Sequence, residues 1–292
     1  MLDNKQCEAF LAVVETGSFE LAGAQLHVTP SAITLRVKAL EQCVGKTLLL
    51  RERPCKPTQS GHELLSYLRK VKLLEQDLLY QFSGKDLSSE FFKLAIAINA
   101  DTLATWFLPA LQQVTLTEKI LLNLQLEDQD YTHYLLETGQ VNACISTESK
   151  ARSGCYATFL GKVRYHLVAS DAFIRRWFPY GISREALKHA PAVIFNRKDN
   201  MHGNVLLEHF GLPKTAYPYH FIPSSESFVD AIELGLGYGM VPELQVRNTE
   251  LVVLTPKTTL DISLYWHHWQ QQSPQLERLT HHLIIKSQEF LL

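Results

Sequence analysis

Apolar residues recur at helical spacing from the first turns of this chain. Phe10, Leu11, Val13 and Val14 share a face within residues 3–16, which predicts an amphipathic helix, and Gly17 supplies a left-handed stop. Ser18 caps a second, short helix over Phe19–Leu26, with Glu20 in the first turn, where the helix dipole favours an acid. After the turn His27-Val28, Thr29 caps a third helix whose first position is Pro30, tolerated because that N–H has no intrahelical partner. Ile33, Val37 and Leu40 form its buried stripe, Ala32 and Ala39 allow close approach, and Gly45 ends it. Residues 47–50 read as a short strand and residues 51–57 as a proline-bracketed turn too rigid for a helix. From Thr58 a long helical pattern carries Leu64, Leu65, Leu68, Val71, Leu74, Leu78 and Leu79 as an a/d-like seam. That seam is either a pairing surface for a second copy or the buried face of a core helix. Residues 83–89, SGKDLSS, predict a linker.

From Phe91 onward the period alternates between strand and helix. Residues 93–98, 121–126, 143–145, 165–170 and 192–195 read as strands; 103–115, 131–137, 204–209, 226–234 and 275–289 read as helices. Such alternation predicts an α/β fold with a largely parallel sheet, and some 200 residues fit two lobes with a cleft between them. The expected domains are 1–58, 59–86 and 90–292. The last divides into lobes of about 90–163 plus 267–292, and 164–266.

The chain has 292 residues, 46% hydrophobic and 20% charged, a composition that supports a buried core. No apolar run is long enough to span a membrane, and the start carries Asp3 with no apolar run of a signal peptide, so a cytoplasmic, nucleoid-associated protein is expected. Five scattered cysteines without a C-x-x-C exclude a zinc ribbon and a disulfide framework. His267-His268 and His281-His282 lack ligand-gathering spacing, so neither a metal nor a cofactor is expected. The glycines of GLGYG (235–239) follow a helix instead of opening one, which rejects a phosphate loop. No nucleophile elbow or P-loop occurs, so the chain does not read as an enzyme.

Charge is more telling in its distribution than in its sum. The net charge is −2, yet Arg36, Lys38, Lys46, Arg51, Arg53 and Lys56 stand between residues 36 and 58 against only Glu41 and Glu52. A local positive strip beside a three-helix pattern with a tight turn fits a winged helix-turn-helix, whose third helix enters the major groove of double-stranded DNA. The outward surface is then Thr29, Ser31, Thr34, Leu35 and Lys38, flanked by Arg36, with Ser18 and Ala32 alongside. Ser31 and Thr34 suit phosphate or base, Leu35 a thymine methyl, Lys38 phosphate. In the wing, Arg51, Arg53 and Lys56 enter the minor groove or bind the backbone.

The stretch from Phe10 through Gly-Ser-Phe (17–19), Thr-Pro-Ser-Ala-Ile-Thr (29–34), Val37-Lys38, Leu40-Glu41, Arg51 and Pro57-Thr58 to Gly61 resembles the LysR-type transcriptional regulators over residues 3–85. NADTLATWFLPAL (99–111), LNLQLED (122–128), IPSSESFVDAIELGLGYGMVP (222–242) and LYWHHW (264–269) are similar to the arginine/lysine-responsive branch of that family, so the resemblance covers nearly the whole chain. One departure is Leu35, where many relatives carry a polar or basic residue. The resemblance implies a long linker helix that dimerises, two α/β lobes like those of periplasmic binding proteins, and a homotetramer.

Ligands of open α/β sheets bind at the carboxyl ends of strands beside helix N-termini. Asn99, Asp101 and Thr102 follow the first strand, Glu127-Asp128 end the second, Ser146 ends the third, and Ser224, Ser225 and Glu226 open a helix. Backbone N–H groups there suit a carboxylate and the acids suit a cation, a pairing that fits lysine or arginine. For Asp101, Ser224 and Ser225 plain helix capping is the alternative; for Glu127 and Asp128 it is a solvated strand end. Trp106 reads as core. The competing function is a cytoplasmic α/β ligand-binding protein or enzyme whose N-terminal helices serve assembly.

Overall fold

The computed structural model describes residues 2–82, 91–128 and 131–292; the linker expected over residues 83–89 lies outside them. Two compact units divide the chain, the first holding the elements up to the long helix together with the turn 137–140, the second the remainder.

In the first unit α1 (Asn4–Thr16), α2 (Phe19–Gln25) and α3 (Pro30–Val44) begin where their caps stand: Asp3 accepts the Gln6 N–H, Ser18 those of Glu20 and Leu21, and Thr29 that of Ala32. Gly17 and Gly45 end α1 and α3 in the left-handed region, where a Cβ is strained. Phe10, Val13, Ile33, Val37 and Leu40 interlock as the core. β1 (Leu49–Leu50) and β2 (Lys56–Pro57) pair antiparallel as a short hairpin.

The hairpin is tied down on both sides. Glu41 accepts the N–H groups of Leu48 (2.8 Å) and Leu49 (3.4 Å). The Thr58 hydroxyl donates to the Thr47 carbonyl (2.8 Å) and accepts the Gly61 N–H (3.0 Å), capping α4 (Gln59–Phe82). α4 passes so close to the hairpin that a Cβ on Gly61 would lie 2.1 Å from the Leu48 carbonyl oxygen. Leu65 and Leu68 are buried in the core and Leu64 packs against it, while Tyr67, Leu74 and Leu78 stay exposed. The seam expected along α4 is thus two surfaces: its first leucines complete the helix-turn-helix core, and only the later ones face outward. The Leu79 side chain lies outside those described.

The second unit runs β3 (Phe92–Ile98), α5 (Ala100–Thr102), a π turn (Leu103–Phe107), α6 (Leu108–Thr117), β4 (Ile120–Leu126), α7 (Thr132–Glu137), β5 (Ala143–Ser146) and β6 (Cys155–Ala169). Then come α8 (Asp171–Trp177), α9 (Arg184–His189), β7 (Ala192–Ile194), α10 (Met201–Phe210), β8 (Tyr219–Phe221) and α11 (Ser225–Glu233). The chain closes with β9 (Gly239–Pro242), α12 (Glu243–Val246), β10 (Val252–Val253), β11 (Leu260–Trp269) and α13 (Pro274–Ser287). β4, β3 and β5 are parallel neighbours, as are β7 and β8.

The remaining pairings correct the expectation of a largely parallel sheet. β11 with β5 and β6, and β6 with β9 and β10, are all antiparallel. The reason is topological: the chain crosses from one lobe to the other along β6 and returns along β11, so the two crossing strands run in opposite directions. β6 is 15 residues long, and only its end, 165–170, is legible as a strand. Gly161, at φ 141°, interrupts the alternation where the ladder with β11 shifts register beside Leu264; a Cβ there would meet Leu291 at 2.5 Å. Leu94, Ile96, Trp106, Phe107 and Leu111 are fully buried, which places Trp106 in the core as read. Among the described residues no helix is long and apolar enough to cross a membrane.

Candidate nucleic-acid interface and ligand cleft

With Ile33, Val37 and Leu40 turned inward, α3 presents Ser31, Leu35, Lys38 and Gln42 on its solvent face, steps of three and four that make one continuous stripe. Leu35 is 68% exposed, an apolar side chain left in water at the centre of the stripe. Thr29 is exposed and accepts the Ala32 N–H, which leaves its hydroxyl proton for an outside acceptor. Thr34 donates to the Pro30 carbonyl (3.0 Å), so only its acceptor lone pairs remain. Ala32 and Arg36 are half-buried at the flanks. Ser18 is half-buried and doubly engaged: it caps α2 and donates to the Glu20 carboxylate at 2.6 Å. That hydrogen bond holds the Glu20 carboxyl below its usual range.

Arg51, Arg53 and Lys56 are exposed on the hairpin. The Arg51 guanidinium lies 5.8 Å from the centre of the Phe19 ring, and the Cys55 N–H bonds the Gly17 carbonyl at 2.8 Å. The hairpin tip is therefore fixed beside the α1–α2 turn. Gly17 is required there, since a Cβ would meet that of Pro54 at 2.8 Å.

In the second unit a cavity of about 900 Å³ opens between the lobes. The first lobe supplies Asn99, Asp101, Glu127 and Asp128, the second Phe195 to His202 and Phe228, and the crossing strands Tyr165, Leu260 and Ile262. Its walls carry the carboxylates of Asp101, Glu127, Asp128, Asp199 and Glu208 against the cations of Arg197 and Lys198, a field that selects for positive charge.

Asp101 is half-buried on the cavity wall and already engaged by partners remote in sequence. The Tyr165 hydroxyl donates to one carboxylate oxygen at 2.8 Å and the Ser225 hydroxyl to the other at 2.6 Å. Burial raises the Asp101 pKa, and the two hydrogen bonds oppose the rise. Glu127 and Asp128 are not a solvated strand end. Lys198 Nζ lies 3.4 Å from Glu127 Oε1 and 3.4 Å from Asp128 Oδ2, and Asn196 Nδ2 donates to Asp128 Oδ1 at 2.9 Å.

Of the other expected residues only Asn99 lines the cavity. Thr102 and Ser146 are buried, Ser146 Oγ accepting the Glu148 N–H. Ser224 caps α11 and donates to Glu226, which is exposed. Asn99 makes no side-chain cap bond, and its Oδ1 is buried without a partner among the described residues.

Several lining groups had not been singled out: Tyr165, Asn196, Lys198, Asp199 and His202. The run Asn196–Asn200 follows the carboxyl end of β7, so the strand-end rule that selected Asn99 and Glu127 applies to it equally. Asn196 Oδ1 accepts the Lys198 and Asp199 N–H groups (2.7 and 3.0 Å), and Asp199 accepts that of Met201 (2.9 Å), which stiffens the loop. His202 is 1% exposed, with neither ring nitrogen bonded among the described residues; burial drives its pKa down to about 3 and keeps the ring neutral.

Comparison with known proteins places both sites in context. Residues 4–62 match the model of the bacterial regulatory helix-turn-helix protein, lysR family, and residues 93–285 that of the LysR substrate binding domain. The HTH-type transcriptional regulator ArgP of Vibrio vulnificus is 37% identical over 294 residues, covering 99% of this chain and 98% of that one. The crystal structure of ArgP from Mycobacterium tuberculosis superposes with a TM-score of 0.86 at 36% identity, covering 100% of this chain and 99% of that one. Full-length LysG from Corynebacterium glutamicum with bound effector Arg gives a TM-score of 0.77 at 33% identity, with 99% of each chain covered.

Proposed function

The chain belongs to the LysR family of bacterial regulatory helix-turn-helix proteins and is a DNA-binding transcriptional regulator, and from that premise we propose that its interlobe cleft takes a basic amino acid, arginine or lysine, as effector. The observation that carries this reading is the acid-rich wall of the cleft, five carboxylates against two cations, contributed by both lobes. A cationic side chain gains from that field, while the unpartnered Asn99 Oδ1 offers an acceptor to an ammonium group. LysG, similar to this chain throughout, is a structure with bound Arg, and that supports the same ligand class. The alternative, an enzyme or ligand-binding protein whose first helices serve only assembly, is set aside by the match of those helices to a DNA-binding family and by full-length regulators as relatives.

Ser31, Leu35 and Lys38 are the groove-facing side chains of the proposed DNA interface. Thr29, Thr34, Ala32, Arg36 and Ser18 frame the helix entry, and Arg51, Arg53 and Lys56 are the wing contacts. The proposed domain limits are 1–58, 59–86 and 90–292. The exposed Tyr67, Leu74 and Leu78, seven and four residues apart on α4, form the stripe of a homodimer, two of which assemble as a tetramer. Such a protein works in the cytoplasm, at the nucleoid. Effector binding then shifts the lobes, and it switches DNA engagement only insofar as the two states bind the ligand unequally.

The test is a footprint of the protein on a duplex it has selected from a random pool, with L-arginine or L-lysine titrated in. The reading predicts a changed footprint or affinity with at least one of them; no change with either overturns the effector assignment.

A further inference from the structure

The cleft holds a cation of its own. Lys198 projects from the β7–α10 loop of the second lobe to the acidic pair that ends β4 in the first, 3.4 Å from both Glu127 and Asp128. Its Nζ lies 4.8 Å from the centre of the Tyr131 ring, so an aromatic face completes the seat. An acidic pair beside an aromatic ring is a receptor for an ammonium or guanidinium group. The Lys198 backbone is pinned by Asn196, while its side chain is 56% exposed at the end of a flexible stem and is free to leave. A second feature of the same cavity points to a ligand: the buried, neutral His202, whose ring nitrogens have no partner among the described residues.

We propose that Lys198 is a tethered competitor for the cationic end of the effector: its ammonium occupies the Glu127–Asp128 seat, and a basic amino acid binds by displacing it. This inference rests on the reading of the cleft as a basic-amino-acid site. It assigns the ligand's side-chain cation to Glu127 and Asp128 and its amino-acid head to the second-lobe wall that carries His202. It also makes Lys198 a determinant of specificity. A ligand whose side chain bears a full positive charge recovers the ion pairing that Lys198 gives up. A neutral isostere does not, and the tether stays in place against it. Because Lys198 bridges the two lobes, the same displacement removes a tie across the cleft mouth.

The experiment measures binding of L-arginine, L-lysine and L-citrulline, the uncharged isostere of arginine, to the full-length wild-type protein and to Lys198→Gln and Lys198→Arg. A half-exposed ion pair holds its partner by a small factor. Removing the competitor therefore tightens arginine and lysine by about three- to fivefold and leaves citrulline within about twofold, and Lys198→Arg, which keeps a tethered cation, restores the wild-type ordering. If all three ligands weaken in Lys198→Gln, Lys198 is holding the ligand's carboxylate and the inference is overturned, although the wild-type affinity for arginine still supports the effector reading. Unchanged affinities overturn it as well. If the wild-type protein binds neither arginine nor lysine, the effector reading fails and takes the inference with it.

Discussion

Arg51 and Arg53 stand at the tip of a hairpin whose backbone Glu41, Thr58 and the Cys55–Gly17 hydrogen bond hold in place, so the two exposed side chains are carried on a fixed base. Replacing both with alanine is expected to weaken duplex binding and to make the slope of log affinity against log salt shallower by about two. Anisotropy titrations at several salt concentrations check this; an unchanged slope would remove the wing from the interface. Residues whose role is local were readable in advance. Ser18 and Thr29 cap the helices that follow them, because a cap needs only its own next turn; Ser224, read first as a ligand residue with capping as the alternative, caps its helix too. Asp101 was not readable in this way. Its partners lie 64 and 124 residues away, and nothing near it in sequence signals that its carboxylate is already bonded. Glu41 likewise reads as a stray negative charge within the basic strip, yet it caps the N–H groups of the wing strand.

At the scale of elements, α4 carries two commitments on one helix. Its early leucines close the core of the DNA-binding unit, and Tyr67, Leu74 and Leu78 remain uncovered. Placing a charge in that exposed stripe, as Leu74→Glu, is expected to shift the protein toward monomer and to lower its apparent duplex affinity at least tenfold, since paired half-site binding is lost. Sedimentation velocity reads the first effect, and an unaltered assembly state would place the dimer contact elsewhere. The longer helices were the most legible elements, since a period held over several turns leaves little ambiguity; the short α8, α9 and α12 went unread. The sheet was less so. β6 was visible only at residues 165–170, because Gly161 and the exposed Tyr156 and Phe159 break the alternation over its first half. With half of the crossing strand unseen, the antiparallel crossing of the lobes was unseen too.

For the whole molecule, the cleft is where the lobes meet chemically. The Asp101–Ser225 hydrogen bond ties them in the interior, and the Lys198 bridge to Glu127 and Asp128 ties them at the mouth. A ligand that replaces one tie with its own contacts changes the balance between lobe arrangements, and thermodynamic linkage makes the effect mutual: if the effector alters DNA binding, DNA alters effector binding by the same factor. The acidic character of the cleft was partly legible at strand ends, in Asp101, Glu127 and Asp128. Its cationic counterpart at Arg197 and Lys198 was not, because the second-lobe loop bears both signs of charge within a few residues and reads as a solvated turn. The most direct test is calorimetric titration of L-arginine into the full-length protein, once free and once saturated with its selected duplex. Measurable binding is predicted in both titrations, with affinities that differ by about fivefold or more. No binding, or identical affinities in the two titrations, would contradict a regulator that reads a basic amino acid.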